Sequence, residues 1–265
     1  MDIREMNTLG DVVAAGRDRE GKAIDAAGRT APYAYGDFST NVWKTGNLLR
    51  HYGIRPDARL AVVVGPKEGG ETERVGYPDS PEPLQAVLGG ATLAATVDIT
   101  PAQPVDTRTF VLPAGLLGRY ETAPGCSVIA YGGPPEAANV AHFGTETWSE
   151  NPIEPPDPVE PSDIFLQVDG EQFSHETVLD VATAVVEEYG LGADDRVGLA
   201  APVTEPGALV AGVVAPLVAG ATIYLPRVDE TAGEVDATLV VGTKPEKGGL
   251  AASDVTGQLY DTRRA

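Results

Sequence analysis

A chain of 265 residues with 42% hydrophobic content can bury a substantial core and is long enough for two domains. Its 39 acidic residues against 19 basic ones leave a net charge of −20, which repels nucleic-acid phosphates and anionic membranes and argues against both as partners. The carboxylates are spread along the chain, so the expected character is that of a salt-adapted cytoplasmic protein and not of one carrying an acidic tail.

The polar start Met1 to Asn7 lacks the basic and apolar regions of a signal peptide. Phe38-Ser39 is then expected to open a helix, because a Ser before apolar residues at three-to-four spacing can cap an orphan N–H, and Tyr52-Gly53 to end it. Asp57-Ala58-Arg59 leads into the apolar run Leu60 to Val64, and Thr92 to Ile99 reads as a second buried strand. Cys126 is the only cysteine, which excludes a disulfide framework and a thiol metal site. Five prolines and four acidic residues in Glu150 to Ser162 read as a stiff linker.

Beyond the linker the same signals return. Phe173-Ser174 opens a helix ending at Tyr189-Gly190, and Asp194-Asp195-Arg196 leads into Val197 to Ala201. The spacing between copies is 137 from Tyr52/Tyr189 through Arg59/Arg196. Pairing Leu88-Gly89-Gly90-Ala91-Thr92 with Val218-Ala219-Gly220-Ala221-Thr222 gives a spacing of 130, and pairing Thr109 with Thr238 gives 129. The stretch Ala208 to Leu225 is uncharged for 18 residues, but Pro216 and Gly220 interrupt it and the repeat assigns it to a buried helix and strand. The expected fold is therefore α/β: two tandem related units with parallel or mixed sheets and crossover helices, residues 1–150 and 163–265 joined by the linker 151–162. Residues 30–125 and 163–262 are expected to superpose and to pack together.

The segments YGIRPDARLAVVV, PLQAVLGGATLAATVDITP, PSDIFLQ, FSHETVLDVATAVVEEYGLGADDRVGLAAP and PLVAGATIYLP resemble the N-terminal region of AMP-forming acyl-CoA synthetases of the adenylate-forming superfamily. That resemblance implies an acetyl-CoA synthetase-like fold covering about the first half of such an enzyme. It also implies a phosphate-binding loop, T-S-G-T-T-G-x-P-K-G, between the strand Ile164 to Val168 and a Ser/Thr-His pair. Here Val168 passes through Asp169-Gly170-Glu171-Gln172 directly to Phe173-Ser174-His175, and Asp169 and Glu171 would repel ATP. The family's later adenine-binding motif and mobile C-terminal domain have no counterpart before Ala265.

No catalytic residue and no metal site are expected, and no cofactor. Ser174-His175 could pair as nucleophile and base, but Ser174 as an N-cap with His175 in the first turn is the better reading. His51 and His142 are isolated from any metal-like cluster. Three of the five lysines fall in Gly-rich loops after strands: Lys67 with Gly69 and Gly70, and Lys244 and Lys247 with Gly248. Open α/β sheets bind ligands at such strand ends, so these six residues are the candidate binding site, suited to a CoA- or AMP-like anion. Ordinary flexible turns are the competing explanation. The resulting expectation is a non-catalytic relative of acyl-CoA synthetases acting as a binding or regulatory module, with a protein partner or a second copy of itself. The alternative is one subunit of a split AMP-forming ligase, completed by another polypeptide.

Overall fold

The computed structural model describes residues 5–67, 72–227, 230, 232–244 and 248–264. In chain order the elements are α1 (Leu9–Gly16), β1 (Lys22–Ala26), β2 (Tyr33–Ala34), α2 (Tyr35–His51), β3 (Arg59–Val62), α3 (Glu82–Ala91), β4 (Thr96–Asp98), β5 (Thr109–Pro113), β6 (Ser127–Tyr131), β7 (Val140–His142) and α4 (Phe143–Ser149). They continue with β8 (Ile164–Val168), β9 (Glu171–Ser174), α5 (His175–Tyr189), β10 (Arg196–Leu199), α6 (Pro206–Leu209), α7 (Ala215–Ala219), β11 (Thr222–Leu225), β12 (Leu239–Gly242), β13 (Leu250–Ala251) and α8 (Ala252–Arg264).

Two sheets form, ordered β13-β12-β10-β11-β1-β2 and β7-β6-β5-β3-β4-β8-β9. All pairings are parallel except β1–β2 and β8–β9, the hairpins that end each sheet. The two orders correspond strand for strand: β12, β10, β11 and the hairpin β1–β2 match β5, β3, β4 and the hairpin β8–β9. Each unit therefore gives its leading hairpin to the sheet of the other. Ile24 pairs with Ile223 on β11, and Leu166 pairs with Val97 on β4. Even the irregularities agree, since the register shifts between Lys22 and Ile24 in one hairpin and between Ile164 and Leu166 in the other. The sheets therefore do not follow a division at 1–150 and 163–265. Each contains strands from both sides of the linker.

Backbone registers correct two of the expected repeat spacings. The amide of Thr96 donates to Ala58 and that of Thr222 donates to Asp195, so Thr96, not Thr92, is the counterpart of Thr222. The identical letters Gly-Ala-Thr had aligned a helix end with a strand start. The left-handed residue that leaves each helix is Ala94 (φ 50°) in one copy and Gly220 (φ 82°) in the other. Likewise Arg108 and Thr238 donate to Arg59 and Arg196, which moves the third pairing by one residue.

The helix starts differ as well. Ser174 caps α5 through its hydroxyl, 3.2 Å from the Thr177 amide, whereas α2 begins at Tyr35 without a side-chain cap and holds Ser39 buried inside it. The uncharged stretch forms α6, a π-helical turn Val210–Val214, α7 and β11. Pro216 has no N–H to give an α-helical bond, and the wide turn just before it absorbs that defect, with the Ala215 amide bonding back to Val210. Among the described residues no helix is long and apolar enough to cross a membrane.

One continuous core, from Leu9 and Ile24 through Leu60 and Val97 to Val185, Val213 and Leu259, runs through both units. The linker lies along α2: Asn47 donates to the carbonyls of Asn151 and Ile153, and Arg50 pairs with Asp157 at 2.5 Å. It is a strap fixed to the first unit, not a free spacer.

Candidate functional site

A cleft of about 370 Å³ opens at the carboxyl ends of β10, β11 and β12. Leu199, Ala200, Arg227 and Lys244 line it from those strand ends, and Arg74, Tyr77 and Asp79 close it from the segment after β3. The closing wall is set by Gly76, whose amide donates to Val64 at 2.7 Å while its carbonyl accepts from Val203 at 2.8 Å. Gly76 has φ +94°, and a Cβ there would lie 2.6 Å from Pro202, so only glycine lets the two units meet this closely.

Charges in the cleft are mixed. Arg74 stacks on Tyr77 with its guanidinium carbon 4.9 Å from the ring centre, and its buried Nε has no hydrogen-bond partner among the described residues. Glu230 accepts from the Tyr224 hydroxyl at 2.8 Å and from the Arg227 amide at 3.2 Å. Burial pushes the Asp79 carboxyl above its ordinary range, opposed by the Lys67 amide that donates to it at 2.7 Å.

The sequence-predicted residues are only partly gathered here. Lys244 lines the cleft. Lys67 reaches it through its backbone bond to Asp79, but its ammonium turns to Glu82 at the start of α3, 2.6 Å away. Gly248, with φ +88°, lies outside the lining, and Gly69, Gly70 and Lys247 fall outside the described residues. Arg74 and Arg227 were missed because neither stands in a patterned element or a Gly-rich motif.

The second region of interest is the join of β8 to β9. Val168 pairs with Glu171, so the connection is the two residues Asp169 and Gly170, with φ 51° and 83°. Positive φ at both is the type I′ hairpin form that Asp-Gly favours. The Asp169 amide donates to the Thr100 hydroxyl at 2.6 Å, and Arg263 of α8 pairs with Glu171 at 2.6 Å. Beyond the turn, His175 is fully buried against Phe165. Its Nδ1 accepts from the Leu9 amide at 3.1 Å, which puts the proton on Nε2, and that atom is buried without a partner among the described residues. Burial lowers its pKa to about 4, despite the carboxylates of Asp163 and Asp11. Ser174 is occupied in capping, and its hydroxyl lies 3.0 Å from that of Thr177.

The same architecture occurs in solved ligases. A benzoate CoA ligase from Burkholderia xenovorans LB400 superposes with a TM-score of 0.72 at 20% identity, over 89% of this chain and 50% of the ligase. The anthranilate CoA ligase AuaEII, in complex with anthranoyl-AMP, gives 0.72 at 14%, over 91% and 51%. The N-terminal domain of FACL13 from Mycobacterium tuberculosis gives 0.65 at 16%, over 86% and 58%. This is the fold of the N-terminal part of a CoA ligase. The chain spans about half the length of the ligases it matches. No protein-family model and no curated protein sequence matches it.

Within this CoA-ligase-like fold, the β8–β9 turn occupies the place where the sequence resemblance implies a phosphate-binding loop. Two residues carrying one carboxylate offer neither a run of glycine amides nor a lysine to a triphosphate. Among the described residues no group of three His, Cys, Asp or Glu side chains could hold a metal ion.

Proposed function

We propose that this chain is a non-catalytic, CoA-ligase-like binding or regulatory module. The observation that carries the reading is the I′ turn Asp169-Gly170, which joins β8 to β9 with no room for a phosphate cradle. A strand-end cleft is present, so binding without adenylation is the activity the geometry best suits. A CoA- or AMP-like anion and a protein partner, or a second copy of the chain, are the ligands proposed. The test is pyrophosphate release by purified protein with MgATP and a panel of carboxylic acids in molar KCl. No turnover above background is expected, and turnover would overturn the reading.

The alternative proposed is a subunit of a split AMP-forming ligase, completed by another polypeptide. Co-expression with a polypeptide carrying the adenine-binding motif and the mobile C-terminal domain would then restore pyrophosphate release. If this chain alone stays inactive and the pair is active, the split-ligase reading replaces the first.

A further inference from the structure

We propose that the outer side of α2, with the strap laid along it, is the surface through which two copies of this chain associate. The proposal deepens the binding-module reading and rests on it. Among the described residues the two most exposed large apolar side chains, Trp148 at 83% and Ile153 at 59%, both lie here. Tryptophan is well buried on average, and it is enriched among the residues that carry the energy of interfaces. Each of the two is anchored from below: Lys44 donates to the Trp148 carbonyl at 3.0 Å, and Asn47 donates to the Ile153 carbonyl at 2.9 Å. Lys44 and Asn47 stand three residues apart on α2, which separates the anchor points by about 5 Å along the helix. The two side chains therefore make one apolar patch, already ordered before any partner arrives.

Charges at the two ends of the patch point to a second copy as its occupant. At the Trp148 end the Lys44 ammonium lies 5.5 Å from the indole centre, and at the Ile153 end Glu154 is exposed. Among the described residues neither forms a salt bridge, whereas Glu150 and Asp157 of the same strap are taken by His51 and Arg50. One cation and one carboxylate are thus left over, at opposite ends. A two-fold axis through the middle of the patch sets Trp148 against the partner's Ile153 and Lys44 against the partner's Glu154, and does so twice. The surface is then self-complementary, apolar at its centre and oppositely charged at its rim. Elsewhere a surface with 39 acidic residues against 19 basic ones repels its own copy, so this locally balanced face is where self-association costs least. Two side chains and a strap are small beside the roughly 800 Å² per partner of a standard interface, so the dimer should be weak, dissociating on the order of tens of micromolar.

Sedimentation equilibrium over about 5 to 500 µM protein tests this. The buffer is about 0.5 M KCl, where a screening length of about 4 Å mutes long-range repulsion and spares contact pairs. A concentration-dependent equilibrium between monomer and dimer is expected. W148Q, at an exposed side chain, should weaken the dimer by about tenfold or more while circular dichroism stays unchanged. K44E and E154K should each weaken it by about threefold or more, and K44E/E154K should dimerise more tightly than either, because a two-fold arrangement re-forms both rim pairs with their signs exchanged. E187K, on the exposed side of α5, controls for net charge and should not weaken the dimer. A monomer throughout, a dimer that W148Q leaves unchanged, or a double variant no tighter than the single ones would overturn the surface. A complex with a co-expressed completing polypeptide that replaces the dimer and is lost in W148Q would give this face to that polypeptide and overturn the proposal as well. Results on the chain alone leave the non-catalytic reading intact, whereas pyrophosphate release would overturn that reading and leave the dimer standing.

Discussion

The hairpins β1–β2 and β8–β9 occupy equivalent places in the two sheets, yet they turn in different ways. The first closes over six residues, 27–32, whereas the second closes over Asp169 and Gly170 alone. The residue that follows each hairpin diverges too. Tyr35 sends its hydroxyl across to the other unit, donating to the Ala221 carbonyl at 2.6 Å, while His175 accepts from the Leu9 amide. One architectural position thus holds a neutral donor in one copy and a titratable acceptor in the other. Architecture constrains where the chain must reach across, and leaves open the chemistry by which it does so.

The largest effects should come from the exchange itself. Ile24 and Leu166 are fully buried at matching places in the traded hairpins, so I24A and L166A should each cost about 3 kcal/mol. Denaturant unfolding in molar KCl, where the screening length falls to about 3 Å and self-repulsion is muted, should show one transition displaced alike by both changes. Two separate transitions, each moved by only one variant, would break the equivalence of the units.

Acid should separate the two crossing residues next. His175 titrates near pH 4 folded and near 6.5 unfolded, so the unfolded chain binds its proton first as pH falls. The stability it supports is full above about pH 6.5 and is lost toward pH 4, up to about 3 kcal/mol. Unfolding free energies measured between pH 7 and pH 4 should fall more steeply for the parent than for H175L. Parallel curves would show that the histidine is not held neutral.

Glycine exchange at the turns should be smaller. Gly170 needs φ +83°, so G170V should cost about 2 kcal/mol, whereas G28V in the six-residue loop, with nothing within 4 Å of its Cβ, should change stability by less than about 0.5 kcal/mol. Thermal melts of the pair decide it, and equal losses would mean the turns are not distinct. Between these two, Y35F removes the donor to the Ala221 carbonyl and should cost about 1 kcal/mol in the same melts. A neutral result would leave that crossing to packing alone.

Much of this was legible in the chain and some was not. Helix ends at Gly53 and Gly190, the buried strands and the cap at Ser174 follow from local chemistry, and these the sequence reveals. The exchange is invisible locally, because the partner of Ile24 is chosen by packing of the completed sheet rather than by neighbours in sequence. Misalignment of Thr92 with Thr222 arose where letters coincide but roles differ: the left-handed exit is an alanine in one copy, where glycine is the residue one looks for. The cleft was half visible. Lys244 stood in a Gly-rich loop, whereas Arg74 sits in a segment without periodic pattern, and the Glu82 that withdraws Lys67 lies fifteen residues further on.

The traded hairpin also sets a timetable for synthesis. β1 leaves the ribosome well before its parallel partner β11, which is made some 199 residues later, from Ile24 to Ile223. At ordinary elongation rates that is a wait of about 10 to 40 s with an apolar strand unpaired on its inner side. The emerging N-terminal half must therefore hold Ala23 and Ile24 away from other chains until the second unit arrives, and a nascent chain stalled before β11 would be the aggregation-prone species for this molecule.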